Sequence, residues 1–180
     1  MIVFIINGAP RTGKDTFINL VRKLTKEKVI AYSSIDWVKQ MATYMGWNGK
    51  KDTKGRKFLS DIKDTCTEYA DIPFQRIIKT LTVYEEFPEH APRYFCTNIR
   101  EPLEIQKLVD WCKERKIPCY TVWIRQQKAE QIALDNFLSS GDTQFAEYNY
   151  DWIINNDGTI KEFEQEIEFR LNKIGEGVAA

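Results

Sequence analysis

The residues best suited to chemistry lie near the start of the chain, in a segment that reads Gly-Ala-Pro-Arg-Thr-Gly-Lys-Asp-Thr. An apolar run at residues 2–6 precedes this segment, and apolar positions at helical spacing follow it. The two glycines let the backbone curl so that successive N–H groups point inward at a polyphosphate. Lys14 can reach the outer phosphates, and the following helix adds the positive end of its dipole. The segment therefore predicts a nucleoside triphosphate site, with these candidate contacts: Gly8, Ala9, Pro10, Arg11, Thr12, Gly13, Lys14, Asp15 and Thr16.

The residue after Lys14 is unusual for such a loop. A serine or threonine normally stands there and binds Mg²⁺ through its hydroxyl group, whereas this chain has Asp15 followed by Thr16. A carboxylate can hold the ion directly or through a water molecule. We therefore predict Asp15 and Thr16 as the metal-binding residues, with Asp15 carrying the larger share.

The composition limits the possible classes of protein. The chain has 180 residues, with 26 acidic and 26 basic side chains, so no overall charge favours duplex nucleic acid. No apolar stretch approaches the length of a membrane span, and the four cysteines lack metal-ligand spacing. We expect a single cytoplasmic domain with free thiols. One local basic patch, which a solvated loop could also explain, consists of Lys50, Lys51, Lys54, Arg56 and Lys57.

Strand-like and helix-like segments alternate along the chain. The predicted strands cover residues 2–6, 28–32, 93–99, 119–124 and 150–154. The predicted helices cover residues 14–26, 35–44, 56–87 with a break near Pro73, 101–116, 128–138 and 159–174, followed by a frayed tail. This alternation predicts an α/β fold, a three-layer sandwich around a five-stranded, mainly parallel sheet.

Ligands of parallel sheets bind at the carboxyl ends of the strands, and several polar residues fall there. Arg100 and Arg125 follow the third and fourth strands and could hold phosphate groups, although Arg100 could instead pair with nearby glutamates. Asp36 follows the second strand and could orient an acceptor group or simply favour a helix start. After the fifth strand, a turn that could touch the ATP base or merely connect two elements consists of Asn156, Asp157 and Gly158.

These features together resemble the P-loop nucleoside monophosphate kinases, most closely the phage-type deoxynucleoside monophosphate kinases. The resemblance spans nearly the whole chain in the family's order. It rests on the first loop, Ser34-Ile35-Asp36 with Lys39, Gly55-Arg56, the segment at 98–102 (Asn-Ile-Arg-Glu-Pro), and the segment at 150–158 (Tyr-Asp-Trp-Ile-Ile-Asn-Asn-Asp-Gly).

The resemblance implies transfer of the γ-phosphate of ATP, with Mg²⁺, to a small nucleotide substrate, a (deoxy)nucleoside monophosphate. Lys14, Thr16 and the loop backbone would hold ATP, and Arg125 would stabilise the charge of the transferring group. The acceptor would be bound by Asp36, Lys39, Arg56, Arg76 and Arg100. Residues 35–90 would form a mostly helical acceptor-binding insertion in the single domain at 1–180, and residues 125–148 a short lid.

Two other functions stay open at this point. The same loop serves kinases of other small acceptors, such as dephospho-coenzyme A or phosphomevalonate. A nucleotide-binding module without catalysis is the third alternative, since Asn98 stands where the family commonly has an aspartate and the lid is poor in arginine. The oligomeric state is also open, with a homodimer as one alternative.

Overall fold

The structure, a computed structural model, describes residues 1–135 and 146–178, without the side chains of Ser34 and of residues 175–178. Within that part of the chain the elements are β1 (Ile2–Asn7), α1 (Lys14–Thr25), β2 (Val29–Tyr32), α2 (Ser34–Tyr44), α3 (Thr53–Ala70), α4 (Ile72–Glu86), a short 3-10 helix (Pro88–His90), β3 (Tyr94–Asn98), α5 (Pro102–Glu114), β4 (Cys119–Arg125), α6 (Gln127–Asp135), β5 (Trp152–Asn155) and α7 (Ile160–Val178).

The five strands form one sheet in the order β2-β3-β1-β4-β5. The first strand lies near its centre, in parallel register with β3 on one side and β4 on the other, and β4 pairs in parallel with β5. Residues that follow β1, β3, β4 and β5 therefore meet along one edge of the sheet. The predicted α/β fold with a five-stranded parallel sheet is confirmed.

Alternate residues of the strands supply a hydrophobic core on each face of the sheet. On one face Phe4 and Ile6 pack with Phe17 of α1 and with Phe163 and Ile167 of α7. Phe4 is fully buried, and its ring lies 5.8 Å from that of Phe17 and 5.2 Å from that of Trp152. This burial holds α1, and with it the first loop, firmly against the sheet.

Helix α5 packs on the opposite face of the sheet. Val3 and Ile5, which alternate with Phe4 and Ile6, are fully buried, and α5 contacts β4. The buried side of this helix includes Ile105 and Leu108, at the spacing expected of one helical face. Helices thus cover the sheet on both sides.

The chain divides into two compact units. The sheet unit falls within Met1–Ala31 and Pro92–Ala180, and the helical unit is Tyr32–Ala91. The helical unit has its own core, in which Val38, Ala42 and Leu59 pack together. The acceptor-binding insertion predicted at residues 35–90 falls within this unit, and its role stays a prediction.

Two predicted element boundaries reflect local backbone chemistry. The break near Pro73 is confirmed, because Asp71 has a left-handed backbone (φ +50°) between α3 and α4, and Pro73 falls in the first turn of α4. The prediction of a frayed tail after Ile174 is wrong over residues 175–178, which continue α7. Gly175 and Gly177 each weaken a helix by only about 1 kcal/mol, so a helix packed over its earlier turns can propagate through them.

The start of α7 lies at Thr159 and Ile160, as predicted. The Thr159 hydroxyl accepts from the N–H of Glu162, and the Glu162 carboxylate accepts from the N–H and the hydroxyl of Thr159. These reciprocal bonds form a capping box. The last residues of the helix predicted at 128–138, and much of the lid predicted at 125–148, lie outside the described residues.

Candidate nucleotide-binding site

The loop between β1 and α1 depends on backbone conformations that suit glycine. Gly8 has φ +142° and Gly13 has φ +101°, and Arg11 between them is also left-handed at +70°. A Cβ atom on Gly8 would collide with the backbone carbonyl of Ile124, and one on Gly13 would lie 2.5 Å from Nδ2 of Asn156. Both glycines therefore allow the loop to curl tightly against its neighbours.

Lys14 lies inside this curl. Its ammonium group donates hydrogen bonds to the carbonyls of Gly8 and Ala9, both at 2.7 Å. Thr12 is fully buried, and its hydroxyl donates to the same Ala9 carbonyl at 3.0 Å. The Thr12 side chain thus fixes the shape of the loop, and the Lys14 ammonium holds two carbonyls of the loop together.

The loop and the first turn of α1 border an open cleft of about 270 Å³. Its lining residues are Arg11, Gly13, Lys14, Asp15 and Thr16. Gly13, directly before the helix, has no side chain to cap the first turn. Two cationic side chains and the positive end of a helix dipole therefore meet in one concave surface, which suits an anion.

Asp15 and Thr16 bring a carboxylate and a hydroxyl group to the same cleft. No group of three or more His, Cys, Asp or Glu side chains that could hold a metal ion occurs within the described residues. Mg²⁺ in phosphate sites commonly takes one or two protein oxygens and completes its shell with phosphate and water. The donor set here fits such a shared site.

A buried asparagine, which the sequence did not single out, fixes the start of the loop. Asn7 is 1 % exposed, and its Oδ1 accepts from the N–H of Gly8 at 2.7 Å. Its Nδ2 donates to the carbonyl of Arg100 at 3.0 Å and to the hydroxyl of Tyr150 at 2.7 Å. A polar residue at the end of an apolar strand is the only signal of this role in the sequence.

The turn after β5 also contacts the loop. The side chain of Asn156 donates to the Thr12 carbonyl at 2.9 Å, and its N–H donates to the carbonyl of Arg125 at 2.7 Å. Asp157 accepts from the N–H of Gln127 at 2.8 Å. These bonds tie the ends of β4 and β5 to the loop between β1 and α1 (residues 8–13), which is called the phosphate loop below after the ligand predicted for it. The predicted contact of Asn156, Asp157 and Gly158 with the ATP base stays a prediction.

Arg125 ends β4 in a partly buried position. Its guanidinium group lies 4.8 Å from the centre of the Trp123 ring and 3.5 Å from the carboxylate of Glu130, which is 8 % exposed. Among the described residues, Nε of Arg125 and Oε1 of Glu130 have no hydrogen-bond partner. The aromatic ring and the carboxylate hold this cation at the carboxyl edge of the sheet.

Arg100 and Asn98 lie at the end of β3, beside the start of the loop. Asn98 is in register with Ile6 of β1, and its buried Oδ1 has no hydrogen-bond partner within the described residues. Arg100 is half-buried, and its carbonyl is one of the acceptors of Asn7. Residues predicted from the ends of β1, β3, β4 and β5 are thus brought to one edge of the sheet unit.

The other predicted acceptor residues belong to the helical unit. Lys39 forms an ion pair with Asp36 one turn earlier on α2. The Arg76 guanidinium group lies 5.2 Å from the centre of the Trp37 ring, and Arg56 donates from Nε to the carbonyl of Lys51 at 3.0 Å. The patch of Lys50, Lys51, Lys54, Arg56 and Lys57 is exposed.

Comparisons with known proteins show the fold. No family model matches the chain, and no curated protein matches its sequence. Among solved structures, the chain is similar to a protein named APE1195 (13 % identity, TM-score 0.55, 96 % of each chain covered). It is also similar to a Deinococcus radiodurans tunicamycin resistance protein (11 %, TM-score 0.54, 96 % of each chain). A proposed kinase from Chloroflexus aurantiacus aligns at 10 % identity and a TM-score of 0.50, again over 96 % of each chain.

The chain thus shares the fold of these solved structures, an α/β fold in which a glycine-containing loop connects the central strand β1 to the helix α1. Sequence identities of 10–13 % indicate a shared fold but do not identify the substrate. Within the described residues, no helix is both long enough and apolar enough to cross a membrane.

Proposed function

We propose that this protein transfers the γ-phosphate of ATP to a (deoxy)nucleoside monophosphate, as the phage-type kinases do. The observation that carries the proposal is the cleft at the start of α1, where the loop backbone, Arg11 and Lys14 surround space for a polyphosphate. The glycine conformations at both ends of the loop support it, because they bring backbone atoms close to the place of the ligand.

Residues of the sheet unit bind ATP. Lys14 exchanges its two carbonyl contacts for phosphate oxygens, and the loop backbone and Thr16 hold the remaining oxygens. Asp15 and Thr16 would hold Mg²⁺, which when bound would supply positive charge to the phosphate oxygens. ATP supplies the γ-phosphoryl group.

The acceptor residues position a second phosphate. The resemblance assigns binding of the monophosphate to Arg100 in the sheet unit and to Lys39, Arg56 and Arg76 in the helical unit, and it assigns its orientation to Asp36. A phosphate oxygen of the acceptor forms the new P–O bond while the bond between the γ-phosphorus and the bridging oxygen of ATP breaks, leaving ADP. The attacking oxygen carries no proton, so the step needs positioning and positive charge rather than a general base. Arg125 supplies part of that charge.

An ADP-release assay across the common ribo- and deoxyribonucleoside monophosphates tests the proposal. We expect turnover with at least one of them and its loss in Lys14→Ala. Lys23→Ala is the matched control, because this exposed lysine of the same helix pairs with Glu164. ATP binding without transfer to any monophosphate would contradict the proposal. Thermal shifts with dephospho-coenzyme A and phosphomevalonate would then identify another acceptor.

A further inference from the structure

β1 ends in a buried polar side chain, Asn7, whereas all other residues of this strand are apolar. Asn7 is 1 % exposed and lies in register with Trp123 of β4. Burying an amide is unfavourable unless its donors and acceptor are satisfied. The presence of asparagine here therefore calls for a specific set of partners.

Those partners fix the orientation of the amide. On one side the N–H of Gly8 requires an acceptor, and on the other the carbonyl of Arg100 requires a donor. An aspartate would turn an oxygen toward the Arg100 carbonyl, and a leucine would leave both groups unsatisfied. The third partner is the Tyr150 hydroxyl, which accepts from Nδ2 at 2.7 Å.

These three bonds join segments that are far apart in sequence. Gly8 begins the phosphate loop, Arg100 follows β3, and Tyr150 precedes β5. The ring of Tyr150 lies 5.7 Å from that of Trp123, against which the Arg125 guanidinium group packs. The Asn7 amide thus connects the loop directly with the segment of Arg100 and, through the ring of Tyr150, with the strand that ends in Arg125.

The tyrosine keeps its proton under assay conditions. Burial raises the pKa of Tyr150 to about 12, although the hydrogen bond from Asn7 acts in the opposite direction. The junction of Asn7 with Gly8, Arg100 and Tyr150 is therefore uncharged near neutral pH.

We propose that Asn7 is a positioning residue that sets the geometry of the phosphate loop relative to the Arg100 segment, with Tyr150 supporting it. The inference rests on the proposed function, since it assigns Asn7 a role in aligning the ATP phosphates with the acceptor. Asn7 acts through Gly8 and Arg100 and has no contact with the reacting atoms.

Three variants test this role. Asn7→Ala removes all three hydrogen bonds. Asn7→Asp keeps acceptors for Gly8 and for the Tyr150 hydroxyl but places an oxygen against the Arg100 carbonyl. Tyr150→Phe removes one bond while keeping the ring. We expect the Kd of a non-hydrolysable ATP analogue, measured by calorimetry, to rise about tenfold in Asn7→Ala and about twofold in Tyr150→Phe, because buried hydrogen bonds contribute modestly but their loss leaves partners unsatisfied. Asn7→Asp should resemble Asn7→Ala.

The control separates positioning from general loss of stability. Thr121 is buried on β4, and its hydroxyl exchanges hydrogen bonds with Asp151, away from the loop. Thr121→Val should lower the unfolding midpoint without changing the Kd for the analogue. If Thr121→Val raised the Kd as much as Asn7→Ala at equal loss of stability, the positioning role would be overturned.

Kinetics provide the second measurement. In Asn7→Ala we expect kcat to fall along with the affinity for ATP, since misaligned phosphates react more slowly even when bound. A change in KM alone would contradict the proposed link to the Arg100 segment. If Asn7→Ala does not fold, Tyr150→Phe still decides the matter: an unchanged Kd and kcat in that variant would overturn the inference.

Failure of the inference can be distinguished from failure of the proposed function. A wild-type protein that binds the analogue but phosphorylates no acceptor contradicts the function, whereas the Kd values of the Asn7 variants still test the loop geometry. A wild-type protein that turns over while Asn7→Ala keeps its Kd and kcat supports the function and overturns the inference.

Discussion

A double-mutant cycle between Gly13 and Asn156 tests how the phosphate loop is held. A Cβ atom on Gly13 would lie 2.5 Å from Nδ2 of Asn156, and that same nitrogen donates to the Thr12 carbonyl at 2.9 Å. Gly13→Ala must therefore move the amide and break its hydrogen bond, in addition to straining a backbone at φ +101°. Asn156→Ala loses the same hydrogen bond and also removes the obstacle.

The magnitudes follow from these two contributions. A non-glycine residue in a left-handed conformation costs about 1–2 kcal/mol, and a buried hydrogen bond contributes about 1 kcal/mol. Gly13→Ala should then lower the free energy of unfolding by about 2–3 kcal/mol and Asn156→Ala by about 1 kcal/mol. The double variant should also lose only about 2–3 kcal/mol, because the shared bond is lost once, which gives a coupling energy of about 1 kcal/mol.

Urea denaturation followed by tryptophan fluorescence measures the four free energies of the cycle. Gly8→Ala combined with Asn156→Ala is the matched control, because a Cβ atom on Gly8 would meet the backbone carbonyl of Ile124 and the hydroxyl of Thr12, neither of which is removed by truncating Asn156. This second pair should show a coupling energy below about 0.5 kcal/mol. Strictly additive losses in the Gly13 cycle would refute the shared-bond explanation.

Three further predictions concern metal binding, the start of α7 and the helical unit. Asp15→Ala should raise the Mg²⁺ concentration for half-maximal activity at least about tenfold, and more than Thr16→Ala does, so an unchanged Mg²⁺ titration would reject Asp15 as a ligand. Hydrogen bonds from Thr159 hold the pKa of Glu162 below its ordinary value of 4.5, so this carboxylate stabilises the start of α7 at neutral pH and ceases to do so as the pH falls through its lowered pKa. An NMR titration should show the lowered pKa and its rise in Thr159→Ala, where only the backbone donor remains; identical values would contradict this cause. Gly55→Ala should destabilise the helical unit by about 1–3 kcal/mol in urea denaturation, because its Cβ would collide with a loop carbonyl, whereas equal stability would show that the loop adjusts freely.

The local elements could be read from the sequence because their signals are local. The apolar run at residues 2–6, the break near Pro73 and the start of the last helix at residue 159 each depend on residues within one or two turns of the chain. The alternation of these elements also predicted the parallel sheet, since parallel strands require crossover connections. The prediction of a frayed tail after residue 174 was wrong over residues 175–178, because glycines mark a helix end only weakly and the helix continues from its packed earlier turns.

The candidate site was only partly accessible in this way. The loop was predictable because glycine and lysine at fixed spacing have few other uses after a strand. The role of Asn7 and the bond from Asn156 to Thr12 were missed, because Arg100 and Tyr150, which bond Asn7, and Thr12, which bonds Asn156, lie more than 90 residues away in sequence.

The sequence by itself determined the chemistry available at the loop: a lysine, a carboxylate and a hydroxyl group placed at the start of a helix by a glycine-containing turn. Only the tertiary structure decided how that loop is held, because hydrogen bonds from Asn7 and Asn156 depend on which strand ends meet at one edge of the sheet. Strand order arises from burial of the whole sheet rather than from any local pattern, and it brings residues 7, 100, 150 and 156 to the same loop.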